Sequence, residues 1–227
     1  MVVQVVVVTG VVANMLAWRL VSVGGRDVWR TLPPLLGLLG AVALLVLPSV
    51  AAPVPAGANV PGAVGVLAVG AATGIALYLG TLLFVAVAQH VPAFARQTAA
   101  AYRRAATADP RRELVLSLLL AVPGEEFFWR GLAYRSGAET EASAGVAAVA
   151  VCLLYVVANL PSRSLPIVAG ALVGGALWGA LAWWSGGVLA SLASHILWTG
   201  LMLARLPARA TWRPRHEFPI DGGADDP

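Results

Sequence analysis

Apolar residues run along this chain in blocks of about twenty, each closed by a short stretch of arginine, glycine, proline or small polar residues. A helix needs about 20 apolar residues to cross a bilayer. On that measure the blocks read as spans at about 2–23, 33–52, 62–91, 114–134, 142–160, 165–184 and 187–205. The pattern predicts an all-α fold, a polytopic transmembrane helical bundle of about seven spans. The third block is long enough to tilt, or to break near its glycines. Residues 92–112 set Arg96, Arg103 and Arg104 among alanines, Phe94 and Tyr102. They read either as a topogenic loop or as an eighth, short helix, re-entrant or lying along the membrane surface.

Outside the spans the sequence offers little that could fold by itself. The loop 53–61 holds Pro53, Pro55 and Pro61 among alanine, glycine and asparagine, and reads as a linker. Residues 1–206 are expected to form one transmembrane domain. Residues 207–227 mix proline, glycine and arginine and end near Asp225 and Asp226. They cannot bury enough apolar surface to fold alone and are expected to be a disordered cytoplasmic tail.

One block breaks the apolar rule. Residues 123–131 read Pro123-Gly124-Glu125-Glu126-Phe127-Phe128-Trp129-Arg130-Gly131, placing two carboxylates and a guanidinium inside a segment otherwise suited to lipid. An ionisable residue at the bilayer centre costs about 3 kcal/mol on insertion scales, so such groups face a protein interior or a wet cavity and mark functional sites. Glu126 and Arg130, four apart, share one helical face and can pair. Glu125 falls about 100° round an α-helix and is the freer carboxylate, suited to take a proton from water and return it. The three residues would serve equally well as a structural ion-pair knot between helices.

Two later blocks carry polar residues as well. Tyr155-Val156-Val157-Ala158-Asn159 lies in the fifth span, with Asn159 near its inner end. His195-Ile196-Leu197-Trp198-Thr199 lies in the seventh, where Ser191, His195 and Thr199 recur every four residues as a polar stripe. Glu125 and His195 are each about ten residues from the inner ends of their spans, so at ~1.5 Å per residue they share a level.

Together these motifs resemble the CPBP family of intramembrane proteases, which includes the CAAX prenyl endopeptidases and the Abi proteins. The family shows Glu-Glu-x-x-x-Arg, then an aromatic-x-x-x-His motif, then His-x-x-x-Asn or Asp. The order and spacing fit over a family-like core at residues 113–205. Asn159 stands where the family has histidine, and Thr199 where it has asparagine or aspartate. The resemblance implies an endopeptidase cleaving a membrane-associated peptide or protein substrate by glutamate-activated water. In that scheme Glu125 activates the water, and Glu126 and Arg130 fix the helix and tune that carboxylate. His195 orients the water or stabilises the tetrahedral intermediate, and Asn159 and Thr199 supply hydrogen bonds. If the family mechanism uses a divalent metal such as zinc, Glu125 and His195 are the residues here that would hold it; no other cofactor is implied. Asn159 also motivates a second reading, a catalytically impaired relative acting as a membrane binding, chaperone or immunity protein. The intramembrane carboxylates alone allow a third, a proton-coupled transporter.

Composition agrees with the membrane reading. The 227 residues are 59% hydrophobic and 11% charged, whereas about a quarter of a soluble domain is charged. All 15 basic residues are arginines and the net charge is +4; the arginines between the spans sit in short loops, where they set topology and are not a nucleic-acid footprint. With the N-terminus outside, the inner side receives Arg26, Arg30, Arg96, Arg103, Arg104, Arg111, Arg112, Arg163 and the arginines from Arg205 onward, against Arg135 outside. The expected location is therefore the plasma membrane, multi-pass, with a cytoplasmic C-terminus and the lipid bilayer as partner. The sequence contains no glycine-rich phosphate loop and no Cys/His cluster, so no nucleotide and no nucleic acid is expected. Cys152 alone cannot form an internal disulfide. Gly170, Gly174, Gly175 and Gly179 form small-xxx-small pairs that read as helix packing. Trp129, Trp178, Trp183, Trp184 and Trp198 read as interface anchors and packing. His90 and His216 have no partner at ligand spacing.

Overall fold

A computed structural model describes the chain at residues 1–51, 61–105, 109–138 and 143–204. The expected linker, apart from Pro61, and the expected tail lie outside the described residues. Within them all regular structure is helical. Eight helices follow one another: α1 (Val2–Ser22), α2 (Val28–Val46), α3 (Ala63–Ala88), α4 (Pro92–Ala105), α5 (residues 110–138), α6 (Ala144–Asn159), α7 (Leu165–Ser185) and α8 (Leu189–Ala204). Helices α1, α2, α3, α6 and α7 are long and apolar enough to cross a membrane, and α8 is a shorter apolar helix. Helix α3 is continuous past all its glycines. Its 26 residues span ~39 Å at 1.5 Å per residue, more than the ~30 Å hydrocarbon core.

The helix starts follow ordinary capping chemistry. Asp27 accepts from the Arg30 amide at 2.8 Å, Asp109 from the Arg111 amide at 3.0 Å ahead of Pro110, and Ser143 from the Val146 amide at 3.4 Å. Each side chain satisfies a donor that the first turn leaves free. Because Asp27 sets its start, α2 begins five residues before the block read from the sequence and carries Pro33 and Pro34 inside it. It ends before Pro48. Helix α7 stops at Gly186, whose φ of 67° is open to glycine at little cost.

Segment 92–112 resolves into α4 and the start of α5. Phe94 of α4 is buried edge-on against Phe84 at 5.4 Å, and Gln97 Oε1 accepts the Leu165 amide at 2.7 Å, docking α4 on the first turn of α7. Ser22 donates to the Pro161 carbonyl at 2.7 Å, so the ends of α1 and α6 meet there too. Arg19, Arg26, Arg30, Arg96, Arg111, Arg112 and Arg163 are all exposed at this end. At the opposite end Arg135 donates to the Ser49 carbonyl.

Close backbone contacts bring the interior helices together. A Cβ on Gly40 would lie 2.6 Å from Gly124 Cα, and one on Gly124 would overlap the Leu36 carbonyl, so α2 and α5 cross through two glycines. A Cβ on Gly74 would lie 2.6 Å from the Ser194 carbonyl, which puts α3 hard against α8 beside His195. Such small-residue contacts are the means by which helices approach closely in lipid. Of the expected α7 glycines, Gly175 packs on Tyr155 and Cys152 of α6, whereas Gly170 meets nothing.

Candidate active site

Helix α5 departs from the regular α-helix expected over 114–134. It is α-helical at Pro110–Leu116, π-helical at Ser117–Ala121, α-helical at Val122–Glu125, π-helical at Glu126–Ala133 and α-helical at Tyr134–Ala138. A π turn closes i→i+5 bonds and holds more residues than 3.6, so successive side chains diverge less than they do in an α-helix. Both neighbouring glutamates face the same partner.

That partner is His195 on α8. Its Nδ1 lies 2.8 Å from Glu126 Oε1, and its Nε2 lies 3.9 Å from Glu125 Oε2. Adjacent carboxylates thus address opposite nitrogens of one imidazole. Glu126 is wholly buried, and its Oε1 also receives Arg130 Nη1 at 3.4 Å. Glu125 keeps 14% of its side chain exposed, so it is the more accessible of the two carboxylates. Its Oε2 accepts the Tyr155 hydroxyl at 3.0 Å.

Aromatic rings close the site. The Arg130 guanidinium sits 4.7 Å from the Tyr155 ring centre and 5.3 Å from that of Trp178. A cation over two aromatic faces gains electrostatic stabilisation where water is excluded. Trp178 stacks on His195 at 3.6 Å and donates to Ser194 Oγ at 3.3 Å. Trp198 Nε1 donates to Thr81 Oγ1 at 3.1 Å, tying α8 to α3. Behind Arg130 a small pocket of about 10 Å³ is lined by Trp129, Tyr134, Cys152, Gly175 and others. It has room for one water.

Of the residues singled out in the sequence, Glu125, Glu126, Arg130 and His195 form one connected group. Asn159, the last residue of α6, stands one turn from Tyr155. Its Oδ1 accepts Trp18 Nε1 at 2.8 Å and its Nδ2 donates to the Tyr155 carbonyl at 2.8 Å. Among the described residues no hydrogen bond links Asn159 or Thr199 to the two glutamates or His195; Thr199 is half-buried one turn beyond His195. Sequence reasoning gave Tyr155 no role of its own and read Trp178 only as an anchor or packing residue. Tyr155 did carry a signal, as the aromatic residue four before Asn159. Trp178 is one of eight tryptophans, and nothing in its local pattern separates it from Trp183 and Trp184, which are exposed.

The donor set bears on a metal. Catalytic zinc takes three protein ligands and keeps a fourth position open. Here His195 Nε2 and Glu125 Oε2 are two facing donors, Nδ1 is engaged by Glu126, and the amide at 159 is turned to Trp18. Among the described residues no three His, Cys, Asp or Glu side chains are grouped to hold a metal ion. The residues present do not fit such a site.

Residues 109–201 match the family model described as Type II CAAX prenyl endopeptidase Rce1-like. Over that stretch the chain is similar to this family. The match runs from the cap of α5 into α8 and takes in both glutamates, Arg130, Tyr155, Asn159, His195 and Thr199. It leaves out α1 to α4, including Trp18 and the α2 glycine that meets Gly124. No curated protein and no solved structure matches the chain.

Proposed function

We propose that this Rce1-like chain is an intramembrane endopeptidase in which Glu125 activates water to cleave a peptide bond of a membrane-associated polypeptide. One observation carries the reading: Glu125 Oε2 and His195 Nε2 face each other at 3.9 Å inside the helical bundle, while Glu126 and Arg130 pair behind them. A single water at about 2.8 Å from each can bridge that separation at a bent angle.

The chemistry follows from the hydrogen bonds. With the neutral ring donating Nδ1–H to Glu126, Nε2 is left as an acceptor. The water then donates one hydrogen to Nε2 and one to Glu125 and turns a lone pair to the scissile carbonyl carbon. As the new O–C bond forms, Glu125 takes the water's proton. It passes that proton to the amide nitrogen as the C–N bond breaks, leaving a carboxylic acid and an amine. Trp178 and the pair Glu126–Arg130 hold the imidazole in place. The exposed arginines at one end support an N-out, C-in orientation with that end on the cytoplasmic side.

The engaged amide of Asn159 favours a second reading, a relative that binds membrane polypeptides without cleaving them. Incubating the chain in vesicles with membrane-anchored peptides in ¹⁸O-water separates the two. Hydrolysis puts ¹⁸O into the new carboxyl group; the binding protein retains the peptides uncut.

A further inference from the structure

We propose that the Tyr155 hydroxyl is a catalytic hydrogen-bond donor of this site, resting on Glu125 and moving to the substrate oxyanion during hydrolysis. The proposal rests on the hydrolytic reading above and assigns one more group to it.

The geometry singles out one oxygen. Glu125 Oε2 receives the Tyr155 hydroxyl at 3.0 Å and is also the oxygen that faces His195 Nε2. Whatever is bound between the carboxylate and the imidazole therefore lies beside the phenol. Asn159, one turn away, has its amide committed to Trp18 and to the Tyr155 carbonyl. One of its bonds holds the Tyr155 carbonyl and the other Trp18, and of the two side chains it is the phenol that reaches the carboxylate. The Tyr155 ring is fixed by Arg130 on its face at 4.7 Å and by Trp129 at 5.3 Å, so the hydroxyl has little freedom to turn away.

The proton balance gives the hydroxyl its task. Before reaction the ionised Glu125 is the strongest acceptor near the phenol. When Glu125 takes the water's proton it becomes a neutral acid, and the negative charge moves to the tetrahedral oxygen. The phenol O–H then donates to that oxyanion and keeps its own proton throughout. When the C–N bond breaks and Glu125 gives its proton to the leaving amine, the carboxylate is restored and the phenol returns to it.

Tyr155→Phe removes one oxygen and keeps the ring over Arg130. In vesicles with a membrane-anchored peptide that the unchanged chain cleaves, kcat should fall about 100-fold to 1,000-fold, the usual effect of losing one oxyanion donor. KM and the melting temperature should stay nearly constant. A kcat within about threefold of the unchanged chain overturns the proposal while leaving the hydrolytic reading intact. Absence of cleavage by the unchanged chain overturns both. A second measurement does not depend on the variant folding: 3-fluorotyrosine placed at position 155 alone reports the partner of its hydroxyl through the fluorine resonance. Glu125→Gln should shift that resonance, and an unmoved resonance also overturns the proposal.

Discussion

Glu126 Oε1 lies 2.8 Å from His195 Nδ1 and accepts Arg130 Nη1 from the other side, so one buried oxygen joins α5 to α8. Removing the cation would leave a wholly buried carboxylate without its charge partner. Arg130→Ala should therefore cost about 3–5 kcal/mol of stability, read as a large drop in the unfolding midpoint in detergent. An unchanged midpoint would mean that Arg130 does not support Glu126.

The crossing of α2 and α5 sets a second expectation. Gly124 precedes Glu125, and a Cβ there overlaps the Leu36 carbonyl, a backbone atom that cannot swing aside. Gly124→Ala should destabilise the chain by about 1–3 kcal/mol, as overpacking usually does, and should slow any cleavage by displacing the next residue. Gly170→Ala, where nothing lies near, is the matched control for thermal unfolding.

Glu113 gives the chain a pH dependence outside its spans. It is 2% exposed at the arginine-rich end of α5. Burial pushes its carboxyl above the usual value of 4.5, and the charges of Asp27 and Asp109 push the same way. The folded state therefore favours the protonated acid. That stabilisation is complete below about pH 4.5, the unfolded value, and is lost as pH rises through the folded one. Glu113→Gln should raise the melting temperature at pH 7.5 and flatten its rise on acidification toward pH 5. Melting curves superimposable on those of the unchanged chain at both pH values would contradict this.

The spans were legible because bilayer thickness fixes their length, and Glu125, Glu126, Arg130 and His195 stood out because charge in an apolar block is rare. The shared level of Glu125 and His195 followed from counting residues to the span ends. That both glutamates address one ring was not legible, since no local pattern tells how α8 is turned toward α5. The partner of Asn159 was hidden for another reason. Trp18 lies 141 positions away, and no local pattern relates a tryptophan near the end of α1 to an amide at the end of α6.

Topology is open to a direct check. In a Cys152→Ser background, a cysteine at Gly62 should react with an impermeant maleimide added outside cells, and one at Val91, at the arginine-rich end, should react only after permeabilisation. Outside labelling at Val91 would reverse the arginine-based orientation.

The central claim is that Glu125 is the group that activates water. The most direct measurement is the rate of cleavage of a membrane-anchored peptide in vesicles by the unchanged chain and by Glu125→Gln, with folded yield and melting temperature recorded for both. The unchanged chain should cleave the peptide, and Glu125→Gln should lose about 100-fold to 10,000-fold in rate, the range for a general base, at equal folded yield. Equal rates for the two, or no cleavage by the folded unchanged chain across a panel of such peptides, would contradict it.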